Sequence, residues 1–431
     1  MSLYHTQQFT LKDLSAFRQQ VLHWAAQHDV CCYLDNNGYH QNKYQTFDVL
    51  IAVGVHRELS VTATGNAFAA LRHFHQRQWL FGHLCYDLKN EVERLTSENH
   101  DGLGFPMLYF FQPETIIEIK EATIIIHTIT HTPKKILAAI RQLTPTASSP
   151  ILSDIQIQAR VPKSEYLQNV AAIQQHIIEG DLYEMNYCQE FYAEQAEITP
   201  ITLFEQLNNL TQSPFAAFYK NRQQYVLCAS PERFIKKIGR KIISQPIKGT
   251  MRRGSSNAED AWLQQALANS EKDRAENVMI VDLVRNDFAR SCQSGSVQVE
   301  ELFGIYTFRQ VHQMISTISG TLRKNVSWVT AIRNAFPMGS MTGAPKVMAM
   351  QLIEQYEASK RGLYSGAIGY ITPRGNFDFN VVIRSLLYNA ANRYLSFQVG
   401  GAIVYDSEPE KEYEECLLKA SAIMRVLQNE R

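Results

Sequence analysis

The chain has 431 residues, of which 45% are apolar and 10% aromatic, enough to form a large buried core. Lys plus Arg and Asp plus Glu both number 42, so no net charge favours a nucleic acid or an anionic membrane as a partner. The N-terminus carries no secretion signal, no run of about 18 apolar residues occurs, and the seven cysteines form no C-x-x-C pair. We therefore expect a folded cytoplasmic protein that neither spans a membrane nor binds nucleic acid.

The first third of the chain mixes predicted helices and strands. Apolar periodicity predicts two helices and two β-strands, around Phe17–Gln27, Gly65–Gln76, Phe47–Val55 and Ala122–Thr130. The segment Thr144–Pro150, rich in Thr, Ser and Pro, is predicted to be a linker. It divides the sequence into a β-rich N-terminal region, residues 1–150, and a second region, residues 151–431, although both can pack into one sandwich.

The second region contains clearer helix signals. Ser164 precedes a helix that keeps apolar residues on one face and ends at Gly180. Capping boxes predict two more helix starts, at Ser270 with Asp273 and at Ser407 with Glu410. Residues 376–388 and 394–399 read as the two strands of a hairpin. Long antiparallel strands with separate helices favour an α+β fold.

Two predicted helices carry carboxylates beside apolar residues. In the last helix Glu412, Glu415 and Lys419 lie along one stripe, which is either a solvated salt-bridge ladder or a pair of carboxylates able to hold Mg²⁺. In the helix from residue 271 to 287, apolar residues surround Glu276, which needs a metal or an ion pair with Arg274 or Arg285 if it is buried.

Lys248 stands in the segment QPIKGTMRRG, between a Pro-Ile and a Gly-Thr pair. Backbone N–H groups and the Thr250 hydroxyl could approach an anion here, with Lys248 as a charge clamp or an amine nucleophile. Arg252 and Arg253 equally fit a basic surface loop.

Arg384 lies in FDFNVVIRSLL, a predicted strand with both faces covered. A guanidinium in that setting requires an acid, which is a carboxylate ligand or a buried structural partner. Gly400 and Gly401 follow the neighbouring strand and either offer donors to the same ligand or form a bend. The segment FPMGSMTGAPK matches no phosphate-binding loop, and no G-x-S-x-G nucleophile motif occurs.

Read together, these segments resemble the chorismate-utilising enzymes, which include anthranilate, aminodeoxychorismate, isochorismate and salicylate synthases. Seven ordered blocks from about Ser164 onward carry the resemblance: SPERF, PIKGT, KDRAENVMIVDLVRND, FPMGSMTGAPK, YSGAIGY, VGGAIVYDS and EYEECLLKA. FDVLIA and GHLCYD extend it more loosely into the N-terminal third. The resemblance implies an α+β fold in which two large antiparallel β-sheets pack as a sandwich with helices outside.

The resemblance also implies roles for individual residues. Lys248, before Gly-Thr, is typical of the branch that aminates chorismate at carbon 4, where anthranilate synthases have Ala. Lys248 would attack ring carbon 2 and Glu232 would act as general acid. Gln189 stands where isochorismate and salicylate synthases have a water-activating lysine, which argues against those activities. The implied Mg²⁺ ligands are Glu276, Glu412 and Glu415, and the implied substrate contacts are Gln189, Thr250, Tyr364, Arg384, Gly400, Gly401 and Lys419.

The activity so implied is the Mg²⁺-dependent amination of chorismate to 4-amino-4-deoxychorismate, the first step of p-aminobenzoate and folate synthesis. No cysteine has the setting of a glutaminase nucleophile, so ammonia is expected from a separate glutamine amidotransferase subunit, and a separate aminodeoxychorismate lyase is expected to act next. Two alternatives are formation of anthranilate and a non-catalytic subunit of the same family. The sequence departs from the family pattern at Gln313, where a histidine is usual, and at Ala402, where a third glycine is usual.

Overall fold

The computed structural model describes residues 3–11, 13–39, 43–145 and 155–428. These ranges contain twenty β-strands and eleven α-helices. The strands are β1 (His5–Thr10), β2 (Val30–Asp35), β3 (Val49–Val61), β4 (Leu80–Leu84), β5 (Leu108–Lys120), β6 (Thr123–Thr128), β7 (Gln158–Ala159), β8 (Glu184–Ala193), β9 (Phe215–Asn221), β10 (Gln224–Ser230), β11 (Arg233–Ile238), β12 (Lys241–Gln245), β13 (Ile247–Arg252), β14 (Gln298–Thr307), β15 (Val311–Thr321), β16 (Gly343–Ala344), β17 (Ala367–Ile371), β18 (Phe377–Asn380), β19 (Ser385–Asn389) and β20 (Tyr394–Ile403). The helices are α1 (Ser15–Ala26), α2 (Ala67–His75), α3 (Lys89–Val92), α4 (Pro133–Gln142), α5 (Lys163–Glu179), α6 (Pro200–Thr211), α7 (Asn257–Asn269), α8 (Glu271–Ala289), α9 (Trp328–Ala335), α10 (Lys346–Tyr356) and α11 (Pro409–Leu427).

The ladders between these strands are antiparallel and form two sheets. The first sheet has the order β1-β6-β5-β3-β2-β9-β10-β19-β20-β8, with β7 and β16 along the outer edge of β8. The second has the order β5-β4-β17-β18-β11-β12-β15-β14, and β13 pairs with β15 beyond the end of β12. Strand β5 pairs with β6 through one half and with β4 through the other, so it joins the two sheets.

The two sheets pack face to face and helices cover both outer faces. Alternate residues of β2 show this, because Cys32 belongs to the core between the sheets whereas Cys31 and Tyr33 belong to the core beneath the helices. Helices α1, α4, α5, α6 and α11 cover the first sheet, and α2, α8 and α9 cover the second. The predicted α+β sandwich is therefore confirmed.

Strands from both parts of the sequence share these sheets. Strand β2 pairs with β9, and β4 pairs with β17. Most of the predicted linker, residues 146–150, lies outside the described residues. The division of the chain at residue 150 stays a prediction about sequence organisation.

Most of the predicted helices and strands are present. Helices α1 and α2 and strands β3 and β6 occupy the segments predicted for them. Helix α5 begins at Lys163, one residue before the Ser164 that was expected to precede it, and ends before Gly180, whose φ of 88° suits a residue without Cβ. At the start of α8 the Ser270 hydroxyl accepts a hydrogen bond from the Asp273 N–H at 3.2 Å, as predicted.

The capping box predicted at Ser407 is wrong. Helix α11 begins at Pro409 with Glu408 as its N-cap residue, because the fixed φ of proline suits the first helical position. The Ser407 hydroxyl instead donates to Glu412 Oε1 at 2.7 Å. The serine therefore orients a carboxylate of the candidate site.

The single strand predicted over residues 376–388 is also wrong. It is two strands, β18 in the second sheet and β19 in the first, separated by residues 381–384. Arg384 has a φ of 50°, which interrupts the extended backbone. Arg384 therefore lies where the chain crosses between sheets, and the predicted β19–β20 hairpin follows it.

In the described ranges, no helix combines the length and the apolar character needed to cross a bilayer.

Candidate active site

Lys248 lies on β13, where its side chain is buried against β8. Its Nζ is 2.5 Å from Glu184 Oε1, and both residues are less than a tenth exposed. Burial lowers the pKa of Lys248, but attraction from Glu184, Glu276 and Glu232 outweighs burial and holds this pKa above its ordinary value. Lys248 therefore rests as an ammonium ion among three carboxylates, and it is not part of a basic surface loop.

The two arginines after Lys248 do form the surface pairs that the sequence allowed. Arg252 contacts Glu259 at 2.5 Å and Arg253 contacts Asp260 at 2.8 Å. The segment thus has a buried lysine followed by an exposed basic pair. Only the lysine reaches the candidate site.

Glu232 lies between β10 and β11 and is 4% exposed. Burial raises the pKa of its carboxyl group to about 7, although the Ser340 hydroxyl, Lys248 and Arg384 each pull it down. A carboxyl group that is half protonated near neutral pH can donate a proton to a leaving group. The environment of Glu232 thus suits the general-acid role predicted for it.

Arg384 points its charge toward Glu232. Burial lowers the pKa of its guanidinium and the attraction of Glu232 partly opposes this. Within the described ranges the guanidinium makes no hydrogen bond or ion pair, so it does not belong to a structural ion pair. A half-buried guanidinium with free donors can bind a carboxylate in bidentate geometry.

The acidic residues of α8 and α11 both attract Lys272. Burial raises the pKa of Glu276 to about 7, and it raises the pKa of Glu412 despite the hydrogen bond from Ser407. The pKa of Lys272 is also raised, because attraction from Glu276, Glu412 and Glu415 outweighs burial. The ion pairs that were the alternative for Glu276 are not formed: Arg285 contacts Asp282 at 2.6 Å and Arg274 lies over the ring of Phe303.

The predicted salt-bridge ladder on α11 is present in part. Lys419 Nζ lies 2.6 Å from Glu415 Oε1, and this lysine holds the pKa of Glu415 below its ordinary value. The same Nζ donates to the Gly400 carbonyl oxygen at 2.8 Å. Helix α11 is thereby tied to the end of β20.

Gly400 and Gly401 allow a close approach at that point. A Cβ atom on Gly400 would lie 2.3 Å from the Tyr187 carbonyl oxygen, and one on Gly401 would lie 3.0 Å from Glu412 Oε2. Gly400 therefore requires glycine for space, whereas a side chain at position 401 would require the Glu412 carboxylate to shift by a few tenths of an ångström. The pair brings backbone of the first sheet against the carboxylates of α11.

Three further residues, Gln189, Tyr364 and Thr250, are predicted to contact the substrate. Gln189 pairs with Val399 in the β8–β20 ladder, and neither its amide nitrogen nor its amide oxygen has a hydrogen-bond partner in the described part of the chain. The Tyr364 hydroxyl lies 3.6 Å from Cys188 Sγ. Thr250 is exposed, two residues after Lys248, and its hydroxyl contacts no described residue. Their contacts with substrate stay predictions.

Sequence reasoning missed two charged residues of this site. Glu184 was not singled out, although an acid in the apolar strand of residues 184–193 signals a buried partner. Lys272 was read only as part of a family block. Neither spacing nor periodicity could show that these residues meet Lys248 and Glu415, since the contacts join distant parts of the chain.

A buried ion pair, Arg361–Glu357, hydrogen-bonds to the backbone of β8. Arg361 Nη2 lies 2.6 Å from Glu357 Oε1, and the same guanidinium donates to the Asn186 and Met341 carbonyl oxygens. Glu357 Oε1 also accepts the Cys188 N–H at 2.9 Å. The pair fixes the backbone on either side of the strand that carries Glu184.

The family model described as chorismate binding enzyme matches residues 29–425.

The chain belongs to the chorismate binding enzyme family.

Among curated relatives of this chorismate binding enzyme, the aminodeoxychorismate synthase of Streptomyces griseus is 42% identical over 290 residues, 67% of this chain and 39% of that protein. The aminodeoxychorismate synthase component 1 of Escherichia coli is 40% identical over 288 residues, 67% of this chain and 62% of that protein. An anthranilate synthase component I-like protein of Synechocystis is 34% identical over 354 residues, 81% of this chain and 72% of that protein. The match spans less than two thirds of the length of both aminodeoxychorismate synthases.

Solved structures bear out the fold of this chorismate binding enzyme. Anthranilate synthase component I from Streptococcus pneumoniae superposes with a TM-score of 0.77 at 24% identity, covering 90% of this chain and 95% of that one. The menaquinone-specific isochorismate synthase of Escherichia coli gives a TM-score of 0.78 at 17% identity, covering 98% and 94%. At these identities the likeness concerns the fold alone.

Proposed function

We propose that this chorismate binding enzyme aminates chorismate with ammonia to give 4-amino-4-deoxychorismate. The observation that carries the proposal is Lys248, buried beside Glu184 and near Glu232. An amine nucleophile near a proton donor suits a substitution in which a hydroxyl group departs. Relatives at 40% and 42% identity named aminodeoxychorismate synthase support the same assignment.

The proposed chemistry has two substitutions. The Lys248 amine attacks ring carbon 2, the two ring double bonds shift, and the carbon 4–oxygen bond breaks while Glu232 protonates the departing hydroxyl to water. Ammonia then attacks carbon 4, the double bonds shift back, and the carbon 2–nitrogen bond to Lys248 breaks. Arg384, with its free donors, would bind a substrate carboxylate and hold the ring in place.

We propose Mg²⁺ as the cofactor, held by Glu276, Glu412 and Glu415. The donor set fits, because carboxylate oxygens are the ligands that hard divalent cations prefer. Burial raises the pKa of Glu276 and Glu412, and a bound divalent cation would stabilise their charged forms. Among the described residues, no set of one oxygen atom from each of these three side chains lies within 4.8 Å of one another, so the three carboxylates are not gathered around a single point. The cation would hold the ring carboxylate of chorismate and offset its charge.

We propose that ammonia comes from a separate glutamine amidotransferase subunit and that a separate lyase converts the product to p-aminobenzoate. All seven cysteines are buried, and burial raises the pKa of Cys188, the cysteine beside the site, to about 12. A thiol in that state is not a glutaminase nucleophile. The relative named component 1 supports the existence of a second component.

The experiment that tests the activity is product analysis by mass spectrometry. Purified protein is incubated with chorismate, Mg²⁺ and ammonium, with and without an added aminodeoxychorismate lyase. The proposal expects p-aminobenzoate only when the lyase is present. Anthranilate would contradict it in favour of the activity suggested by the Synechocystis relative's name, and unchanged chorismate in the presence of an amidotransferase subunit would indicate a non-catalytic subunit.

A further inference from the structure

Glu184 is a buried carboxylate that the proposed substitutions do not use. It is 2% exposed, and its Oε1 lies 2.5 Å from Lys248 Nζ. Its Oε2 has no hydrogen-bond partner in the described residues. A buried carboxylate is normally satisfied at both oxygens, because each unpaired lone pair costs free energy. Glu184 therefore keeps an acceptor free beside the nucleophile.

Lys248 needs a base before it can attack. An ammonium ion has no lone pair, and Lys248 Nζ is ion-paired with the Glu184 carboxylate. Glu232 must itself carry a proton in order to give it to the departing hydroxyl. Among the described residues, Glu184 makes the one side-chain hydrogen bond that Lys248 Nζ has.

The backbone on both sides of this contact is held in place. Asn277 Nδ2 donates to the Lys248 carbonyl oxygen at 3.5 Å, and Asn277 Oδ1 accepts from the Ser316 hydroxyl at 2.5 Å. On the other side, Glu184 pairs with Ala344 in the β16–β8 ladder. A proton donor and acceptor on two fixed strands meet the geometric requirement for proton transfer.

We propose that Glu184 is a further catalytic residue, the base that takes a proton from Lys248 to free its amine; this inference rests on the proposed function. In the step one Nζ–H bond breaks and its electron pair stays on nitrogen. An O–H bond forms on Glu184. The neutral amine then attacks ring carbon 2, and the carboxylate is restored when the lysine is expelled and takes the proton back.

The first test replaces the base and keeps its shape. Glu184→Gln retains an oxygen that accepts the Lys248 hydrogen bond but cannot hold the proton. We expect the kcat for 4-amino-4-deoxychorismate to fall by roughly 100-fold or more, with KM for chorismate changed by less than about 3-fold. At a constant concentration of free ammonia, the rate of the variant should fall less steeply above about pH 7 than that of the unchanged protein, because solvent must now deprotonate Lys248 and the fraction of neutral amine grows with pH while Glu232 loses its proton.

A matched control lies on the same strand. Glu190 is also buried, at 4% exposed, and contacts Arg160 at 3.1 Å instead of Lys248. Glu190→Gln measures the cost of removing a negative charge from β8 and should keep kcat within a few fold. Thermal unfolding of both variants shows whether either loss of rate reflects loss of fold.

A double-mutant cycle separates catalysis from a general electrostatic effect. If Glu184 acts through Lys248, then adding Glu184→Gln to Lys248→Ala causes no further loss in the residual rate of chorismate consumption. A full further loss of rate in the double variant would overturn the inference. A kcat of the Glu184→Gln variant within about 3-fold of that of the unchanged protein, or the same dependence of kcat on pH, would overturn it as well. Absence of 4-amino-4-deoxychorismate from the unchanged protein would instead overturn the proposed function, so the two failures are distinct.

Discussion

At the scale of single residues, the site consists of ionisable side chains of both signs that lie near one another. Five carboxylates, Glu184, Glu232, Glu276, Glu412 and Glu415, lie near four cations, Lys248, Lys272, Arg384 and Lys419. Burial raises the pKa of two of these acids, Glu232 and Glu276, to about 7. Such a site can move protons near neutral pH.

The pKa of Glu232 leads to a prediction about pH. Because a general acid acts only when protonated, the rate should fall as pH rises through about 7. The measurement is kcat for chorismate amination between about pH 6 and about pH 9 with free ammonia held constant. Glu232→Gln should be slow throughout and should lack this fall. A wild-type rate that stays level across pH 7 would show that Glu232 is not the acid.

Glu415 allows a test of the cation. Glu415→Gln keeps the size of the side chain and the contact with Lys419 but removes one negative charge from the proposed ligand set. We expect the Mg²⁺ concentration for half-maximal activity to rise by about tenfold or more. The control is Glu414→Gln, an exposed neighbour on the same helix. Equal Mg²⁺ requirements for the two variants would remove Glu415 from the ligand set.

Residue identities, then, could be predicted from blocks of sequence, but their protonation and contacts could not. The sequence leaves Lys248 open to three interpretations, and its burial against Glu184 excludes one of them, the basic surface loop. Arg384 was open to two, and its lack of a partner among the described residues favours a ligand. Both outcomes depend on neighbours more than 60 residues away along the chain, which local patterns do not reveal.

At the scale of elements, two residues of the candidate site, Arg384 and Ser407, lie in the segments between helices and strands. Apolar alternation continues through residues 376–388, so periodicity alone predicted one strand. The chain instead leaves the second sheet after β18 and enters the first at β19, and the turn between them carries Arg384. Likewise Pro409 starts α11 two residues after Ser407, which frees the serine hydroxyl for Glu412. Tertiary packing overrides local signals at both positions.

The Arg361–Glu357 pair gives a prediction for the elements behind β8. Arg361→Met leaves Glu357 buried without its cation, and we expect a loss of about 3 to 5 kcal/mol in the free energy of unfolding. Urea denaturation measures this loss. Adding Glu357→Gln removes the unpaired charge while keeping an acceptor for the Cys188 N–H, so the double variant should regain much of the stability. A double variant no more stable than Arg361→Met would show that the charge is not the cause.

At the scale of the whole molecule, the fold was predicted from the family blocks, whereas composition and periodicity gave only the α+β class. The order of the strands explains why. Strand β5 serves both sheets, β2 pairs with β9, and β4 pairs with β17. Pairings between strands so far apart in sequence leave no local pattern. The candidate site lies where these long-range pairings bring β8, β13, α8 and α11 together.

This topology predicts that the two parts of the sequence cannot fold separately. A fragment of residues 155–428 would expose the edges of β9 and β17 and the core between the sheets, because β2 and β4 cover them. We expect the intact chain to show coincident far- and near-ultraviolet circular dichroism transitions on heating, and the fragment to show no cooperative transition. Co-expression with residues 1–145 should restore cooperativity by supplying the missing strands. If the fragment alone unfolds cooperatively, the prediction is wrong, and residues 155–428 form a domain that folds without β2 and β4.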